Sequence, residues 1–150
     1  MTVPLPPNHD RFVIVKRVST QKQGADGLGI SAQHREIQHY LHQLPHHSVI
    51  KEFVEVESGG KELCDRPVLQ EAIDLCRKTN SILLVSRLSR LSRDAAFVLN
   101  LMKDSSIQFR VAAMPSATNL QLGIYALLNE EERRSCSVRT KNALAAARSR

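Results

Sequence analysis

Ile82-Leu83-Leu84-Val85 is an unbroken apolar run, closed by Ser81 and Ser86 and followed at once by a block rich in arginine, Arg87-Leu88-Ser89-Arg90-Leu91-Ser92-Arg93-Asp94. A strand without polar alternation has no face to turn to water, so it belongs in the centre of a parallel sheet covered by helices on both sides. Such a strand limits the chain to an α/β architecture, and its neighbours agree. Phe12 to Val18 is a β-branched run and Ile107 to Ala113 a further strand. Val49 to Val56 alternates, with Val49, Lys51 and Phe53 opposing Ile50, Val54 and Val56. Helical spacing separates these runs. From Ser31, Ile37, Tyr40, Leu41 and Leu44 recur on one face until Pro45 stops the helix. Leu69, Ala72, Ile73 and Cys76 share a face of a second helix, with Asp65 expected as its cap and Pro67 in its first turn. A third helix runs through Ala95, Val98, Leu99 and Met102. Strands alternating with helices predict a three-layer α/β sandwich with a mostly parallel central sheet. Met1 to Asp10, with three prolines, is expected to be a disordered lead-in, and the glycine-rich Gln21 to Gly29 a loop.

The end of the chain is of another kind. Asn119 to Arg148 contains no proline and a single glycine, Gly123. A helix of that length spans about 45 Å, against a radius of gyration of ~15 Å for a chain of this size. Leu120, Ile124, Leu127 and Leu128 form an apolar stripe that must pack on something, and the stripe fades after Glu132. From Arg133 to Arg150 there are six basic residues and no acid. Residues 11–118 are therefore expected to form the α/β body, and residues 119–150 a long helix for dimerisation and polyanion contact.

Composition narrows the function classes. The net charge is +6 and aromatics are only 4%, without tryptophan, which argues against a base-stacking platform. Cys64, Cys76 and Cys136 lack metal-ligand spacing and read as reduced thiols of a cytoplasmic protein. No stretch is apolar enough to span a membrane, so no membrane partner is expected. Gly27-x-Gly29-x-x-Ala32 fits a dinucleotide pattern only formally, because about eight residues separate it from the strand that such a turn should follow directly. His39, His42, His46 and His47 lack a completing cysteine or carboxylate and are read as solvated.

The chemistry lies at strand ends. Arg17-Val18-Ser19-Thr20 closes the first strand, and the arginine block closes the third. In an open α/β sheet the C-terminal edge is where ligands bind. A serine hydroxyl among guanidiniums suits attack on a phosphodiester, since arginine forks match phosphate oxygens and stabilise the charge that develops in the transition state.

These segments resemble the catalytic domain of the serine recombinases, the resolvase/invertase family. The likeness runs from about Arg11 to Arg150 through five motifs in order. They are Arg17-Val18-Ser19-Thr20 with Gln23, then Gly27-Leu28-Gly29-Ile30-Ser31-Ala32-Gln33, then Ser58-Gly59 with Asp65-Arg66-Pro67. The arginine block through Asp94 follows, and last come Glu132-Arg133 and Arg139-Thr140. The resemblance implies site-specific recombination of double-stranded DNA. Ser19 would form a 5′-phosphoserine bond, and strands would exchange in a tetramer assembled from homodimers. It assigns Arg17, Arg66, Arg90 and Arg93 to the phosphate, and Ser58, Gln23 and Gln33 to positioning. Glu132 supports the site from the long helix, and Arg133, Arg139, Lys141, Arg148 and Arg150 contact DNA. Glu55 and Asp94 are supporting residues, with Glu55 standing for a common aspartate. Neither a metal nor any other cofactor is implied, and no phosphate-binding G-x-x-x-x-G-K-[ST] loop occurs.

Ser89 departs from the family, standing where an aspartate is usual, and so do Val15 for a tyrosine and Val138 for a glutamate. A hydroxyl is a poor acid at neutral pH, so the change implies a rate loss on the order of 10²–10⁴ if that carboxyl handles a proton. The rival expectation is a weak or inactive regulatory or assembly module that keeps dimerisation and the phosphate grip. No helix-turn-helix occurs within the 150 residues, so no C-terminal DNA-binding domain is expected within this sequence.

Overall fold

The computed structural model describes residues 9–18, 28–56 and 63–149. Strand β1 (Asp10–Val18) is followed by helix α1 (Leu28–His42), β2 (His47–Val56), a 3₁₀ turn (Leu63–Asp65) and α2 (Pro67–Thr79). Then come β3 (Ile82–Val85), the single-turn α3 (Leu88–Leu91), α4 (Ala95–Lys103), β4 (Gln108–Val111) and α5 (Asn119–Arg148). The four strands lie in the order β2-β1-β3-β4, and every pairing is parallel.

Alternation along the two central strands divides the core. Phe12, Ile14, Ile82 and Leu84 face α1 and pack with Ile37, Tyr40 and Leu41. Val13, Val15, Leu83 and Val85 face the other way, into a larger cluster with Leu69, Ile73, Val98 and Leu122 from α2, α4 and α5. Both faces of β3 are thus covered, as its apolar run requires. The expected three-layer sandwich is the observed one.

Several local expectations need correction. The register of β1 against β2 slips between Phe12 and Val13, leaving Ile50 as an extra residue on β2. A bulge of this kind resets the pleat, so Ile50 and Phe53, three apart, both pack into the larger cluster. Strict alternation had put them on opposite faces. Helix α1 begins at Leu28, not Ser31, so Gly29 lies in its first turn, where a Cβ would meet Val18 Cγ1 at an ordinary contact distance of 3.7 Å. Asp65 ends the 3₁₀ turn and does not cap α2. The N-cap is Arg66, with no side-chain cap bond, and Pro67 occupies the first turn, where no donor is needed.

The long helix forms as expected, with a reciprocal Thr118–Gln121 capping box at its start. The face that it packs on the body is distinct from the apolar stripe. Leu122, Gly123 and Ala126 are buried, while Leu120, Ile124, Leu127 and Leu128 are exposed. Small residues at the crossing let the axes approach closely, and a Cβ at Gly123 would sit 3.4 Å from Leu99 Cδ2. From Glu131 onward every described residue but Ser135 is exposed.

The two faces of α5 should therefore respond differently to mutation. Leu122→Ala should cost about 2–4 kcal/mol in urea unfolding, as for other core truncations. Ile124→Lys with Leu127→Lys should leave monomer stability within about 0.5 kcal/mol, as for surface changes. A large loss in the double variant would show that the stripe belongs to the monomer's core.

Candidate active site

The C-terminal ends of β1 and β3 meet at α3. A helix of one turn cannot satisfy its own last carbonyls, and here two buried arginines do so. Arg17 donates from Nε to the Arg90 carbonyl at 3.2 Å and from Nη2 to the Ser89 carbonyl at 2.8 Å. Arg66 donates from Nη1 to the Leu91 carbonyl. Both side chains are 1% exposed. Arg66 is neutralised by the equally buried Glu55, Nε to Oε1 at 2.6 Å and Nη2 to Oε2 at 3.3 Å. Arg90 returns a bond to the Arg17 carbonyl at 3.2 Å.

Gln33 fixes the strand end from the opposite face. Its Oε1 accepts the Arg17 backbone N–H at 3.0 Å, while its Nε2 donates to the Arg17 carbonyl at 2.9 Å and to the Gly29 carbonyl at 3.0 Å. The backbone two residues before Ser19 is therefore held on both its donor and its acceptor.

A cavity of about 350 Å³ opens between the arginine block and α5, lined by Ser89, Arg93, Asn129, Glu132, Arg133 and Cys136. Of the residues expected at the site, the structure gathers Arg17, Gln33, Glu55, Arg66, Ser89, Arg90, Arg93 and Glu132 at this end of the sheet. Asp94 is used differently: its Oδ1 accepts the Ala96 N–H at 2.9 Å and caps α4. Arg139, Lys141 and Arg148 lie farther along the exposed part of α5. Ser19, Gln23, Ser58 and Arg150 fall outside the described residues. Asn129 and Cys136 were not anticipated. With Glu132 and Arg133 they follow i, i+3, i+4, i+7 spacing, so extending one helical face from Glu132 would have found them.

Among the described residues, several guanidinium charges crowd together here. Burial, and then the nearby charges of Arg66, Arg90 and Arg93, push the Arg17 pKa down to about 10. Burial also lowers that of Arg90, helped by Arg93 and Arg87. Folded Arg17 holds its proton less tightly than unfolded Arg17, so its charge opposes folding at neutral pH. That cost is relieved only as pH rises above about 10. An oxyanion seated among these groups would relieve it without deprotonation, which is what a phosphate-binding site requires.

Residues 12–150 match the family model for the resolvase N-terminal domain. The chain belongs to the resolvase family. Among solved structures, this resolvase-family domain is similar to the N-terminal catalytic domain of TP901-1 integrase, with 27% identity, 83% of this chain and 98% of that one covered, and a TM-score of 0.61. It shares its fold with a resolvase family site-specific recombinase from Streptococcus pneumoniae (21% identity, coverage 93% and 99%, TM-score 0.56). It also shares it with the C-terminal catalytic domain of ISC1926 TnpA, an IS607-like serine recombinase (21%, 68% and 70%, 0.55). A comparison with curated protein sequences finds no match. Family and fold together place the chain in the serine recombinase class. No helix among the described residues is long and apolar enough to cross a membrane.

Two measurements follow from the charge balance. Sulfate at about ten times its Kd should stabilise the domain by about 1.4 kcal/mol over chloride of equal ionic strength, some 3 °C in Tm, and Arg93→Ala should shrink that gain. Glu55→Gln should cost about 3–5 kcal/mol in denaturant unfolding, because it strands the Arg66 charge in the core.

Proposed function

We propose that this chain cuts and rejoins DNA by transesterification through Ser19. The observation that supports the reading best is the convergence of Arg17, Arg90 and Arg93 on the strand end that leads directly into Ser19, in a chain of this family. In the reaction the Ser19 hydroxyl gives up its proton as its oxygen bonds to phosphorus. The bond from phosphorus to the 3′-oxygen breaks, and that oxygen takes up a proton. The protein is left on the 5′-phosphate, and attack by the 3′-hydroxyl of another strand reverses the step. Each bond broken is replaced by an equivalent one, so no energy source is consumed.

The buried arginines set the frame and its field, while the exposed Arg93 guanidinium can follow the phosphate. Gln33 holds the backbone that leads into the nucleophile, with Gln23 and Ser58 as further positioning groups. Glu132 supports the site from α5. Arg133, Arg139, Lys141, Arg148 and Arg150 extend the grip along the duplex through phosphate charges. The exposed face of Leu120, Ile124, Leu127 and Leu128 is the surface on which a homodimer forms, and two dimers make the tetramer in which strands exchange.

One observation favours a second reading. Ser89 puts a hydroxyl where the family carries a carboxylate, and the site lacks that acid. A chain that binds phosphate and assembles but cuts slowly would serve as a regulatory or assembly module.

Covalent trapping separates the two. On a pre-nicked duplex the protein should become linked to the 5′ end, and Ser19→Ala should abolish the adduct while leaving the circular dichroism spectrum unchanged. Ser89→Asp should speed adduct formation, by on the order of 10²-fold if proton transfer limits the rate. An adduct that survives Ser19→Ala would overturn the assignment, and absence of any adduct even in Ser89→Asp would favour the assembly module. Removal of Arg139 to Arg150 should reduce the slope of log affinity against log salt by roughly one unit for each phosphate that is no longer neutralised.

A further inference from the structure

Arg87 opens the arginine block, yet its side chain bonds to neither the strand end nor the helix that it begins. As the N-cap of α3 it has extended backbone and no side-chain cap bond. Its guanidinium reaches across to α1 instead, where Nε at 2.9 Å and Nη2 at 2.5 Å both donate to Oε1 of Glu36. Oε2 of Glu36 makes no hydrogen bond among the described residues. The contrast with the other carboxylate of this edge is plain. Glu55 holds Arg66 with both oxygens, and neither side chain is more than 1% exposed. The Arg87 and Glu36 side chains are 65% and 27% exposed, so theirs is a pair that water and ions can reach.

The pair lies beside the arginines assigned to phosphate. Arg90 is one turn on from Arg87 and donates to the Arg17 carbonyl. Burial, then Arg93 and Arg87, lower the Arg90 pKa, and Glu36 opposes them, so Glu36 acts on the site as well as on its own partner. An arginine fork accepts a phosphate oxygen as readily as a carboxylate oxygen. We propose that Glu36 stands in for a DNA phosphate in the free protein, and that Arg87 passes from Glu36 to the duplex when DNA binds. Arg87 is then a further phosphate ligand, and Glu36 a built-in competitor that the duplex must displace. The exchange moves no proton, since guanidinium, carboxylate and phosphate keep their charges throughout. It rests on the reading of this chain as DNA-binding, but not on Ser19 as the nucleophile.

The test uses the full chain and a duplex of mixed sequence, with affinity followed by fluorescence anisotropy from about 50 to 200 mM salt. Glu36→Gln keeps the shape and removes the charge. It should tighten binding about two- to fivefold, the strength of an exposed ion pair that no longer has to be broken. Arg87→Gln should weaken binding and lower the slope of log affinity against log salt by about 0.9, the share of one phosphate contact. In the Arg87→Gln background Glu36→Gln should bring no gain, whereas a general effect of removing a negative charge would persist there. The Arg87 Nε–H resonance should shift when DNA is added, and in Glu36→Gln it should have left its unmodified position beforehand. An unchanged salt slope in Arg87→Gln would overturn the proposal, as would a gain from Glu36→Gln that survives the loss of Arg87. Weaker binding in Glu36→Gln would also overturn it, because the pair would then serve only to place the block. Absence of duplex binding in every variant would defeat the DNA reading itself. The expected binding pattern without any adduct would support the exchange and defeat the Ser19 chemistry instead.

Discussion

Two guanidiniums without access to water close the end of a helix one turn long, and the arginine-rich edge of this domain depends on that contact. Four residues are far too few for α3 to persist on its own. Its terminal carbonyls would otherwise be unsatisfied in a buried place, and Arg17 and Arg66 supply charged donors to them. Because Arg17 is rooted in β1 and Arg66 opens α2, the arginine block is tied to two elements far away in sequence. Glu55 makes the arrangement tolerable by cancelling one of the two charges at its source. Arg17 sits close to Arg66, Arg90 and Arg93, whose positive charges add to burial in lowering its pKa.

The same contact explains how the block can be arginine-rich and still well placed. Arg87 reaches outward to Glu36 on α1, Arg90 turns back to the Arg17 carbonyl, and Arg93 is exposed beside the cavity. Three arginines in seven residues therefore do three different things. In the free protein only the last is disposed like a ligand-binding side chain.

Much of this was legible in the sequence. The apolar run of β3 determined the layer architecture, because a strand apolar on both faces admits few surroundings. The strand-end position of Arg17 and of the arginine block followed from the same pattern, and five ordered motifs carried the family. What could not be read were properties of pairs. That Arg66 would turn inward to Glu55 and leave α2 without a side-chain cap depends on a partner 11 residues away. The bulge beside Phe12 depends on how two strands are registered, and composition carries no trace of it. The stripe on α5 showed that the helix needs a partner surface, but not which residues seat it on the body. Here the root is made of Gly123 and Ala126, whose value lies in being small.

The anchoring of α5 has a mechanical consequence. Its last buried residue is Ala126, and 22 residues separate it from Arg148 at the end of the helix. At 1.5 Å per residue that is a rod of about 33 Å held at one end, so a tilt of about 10° at the root moves the tip by about 6 Å. The inner part of the same rod carries Asn129, Glu132, Arg133 and Cys136, which form one wall of the cavity facing Ser89 and Arg93. Whatever grips the far end therefore has leverage on the width of the cavity, with the fulcrum where Gly123 rests against Leu99.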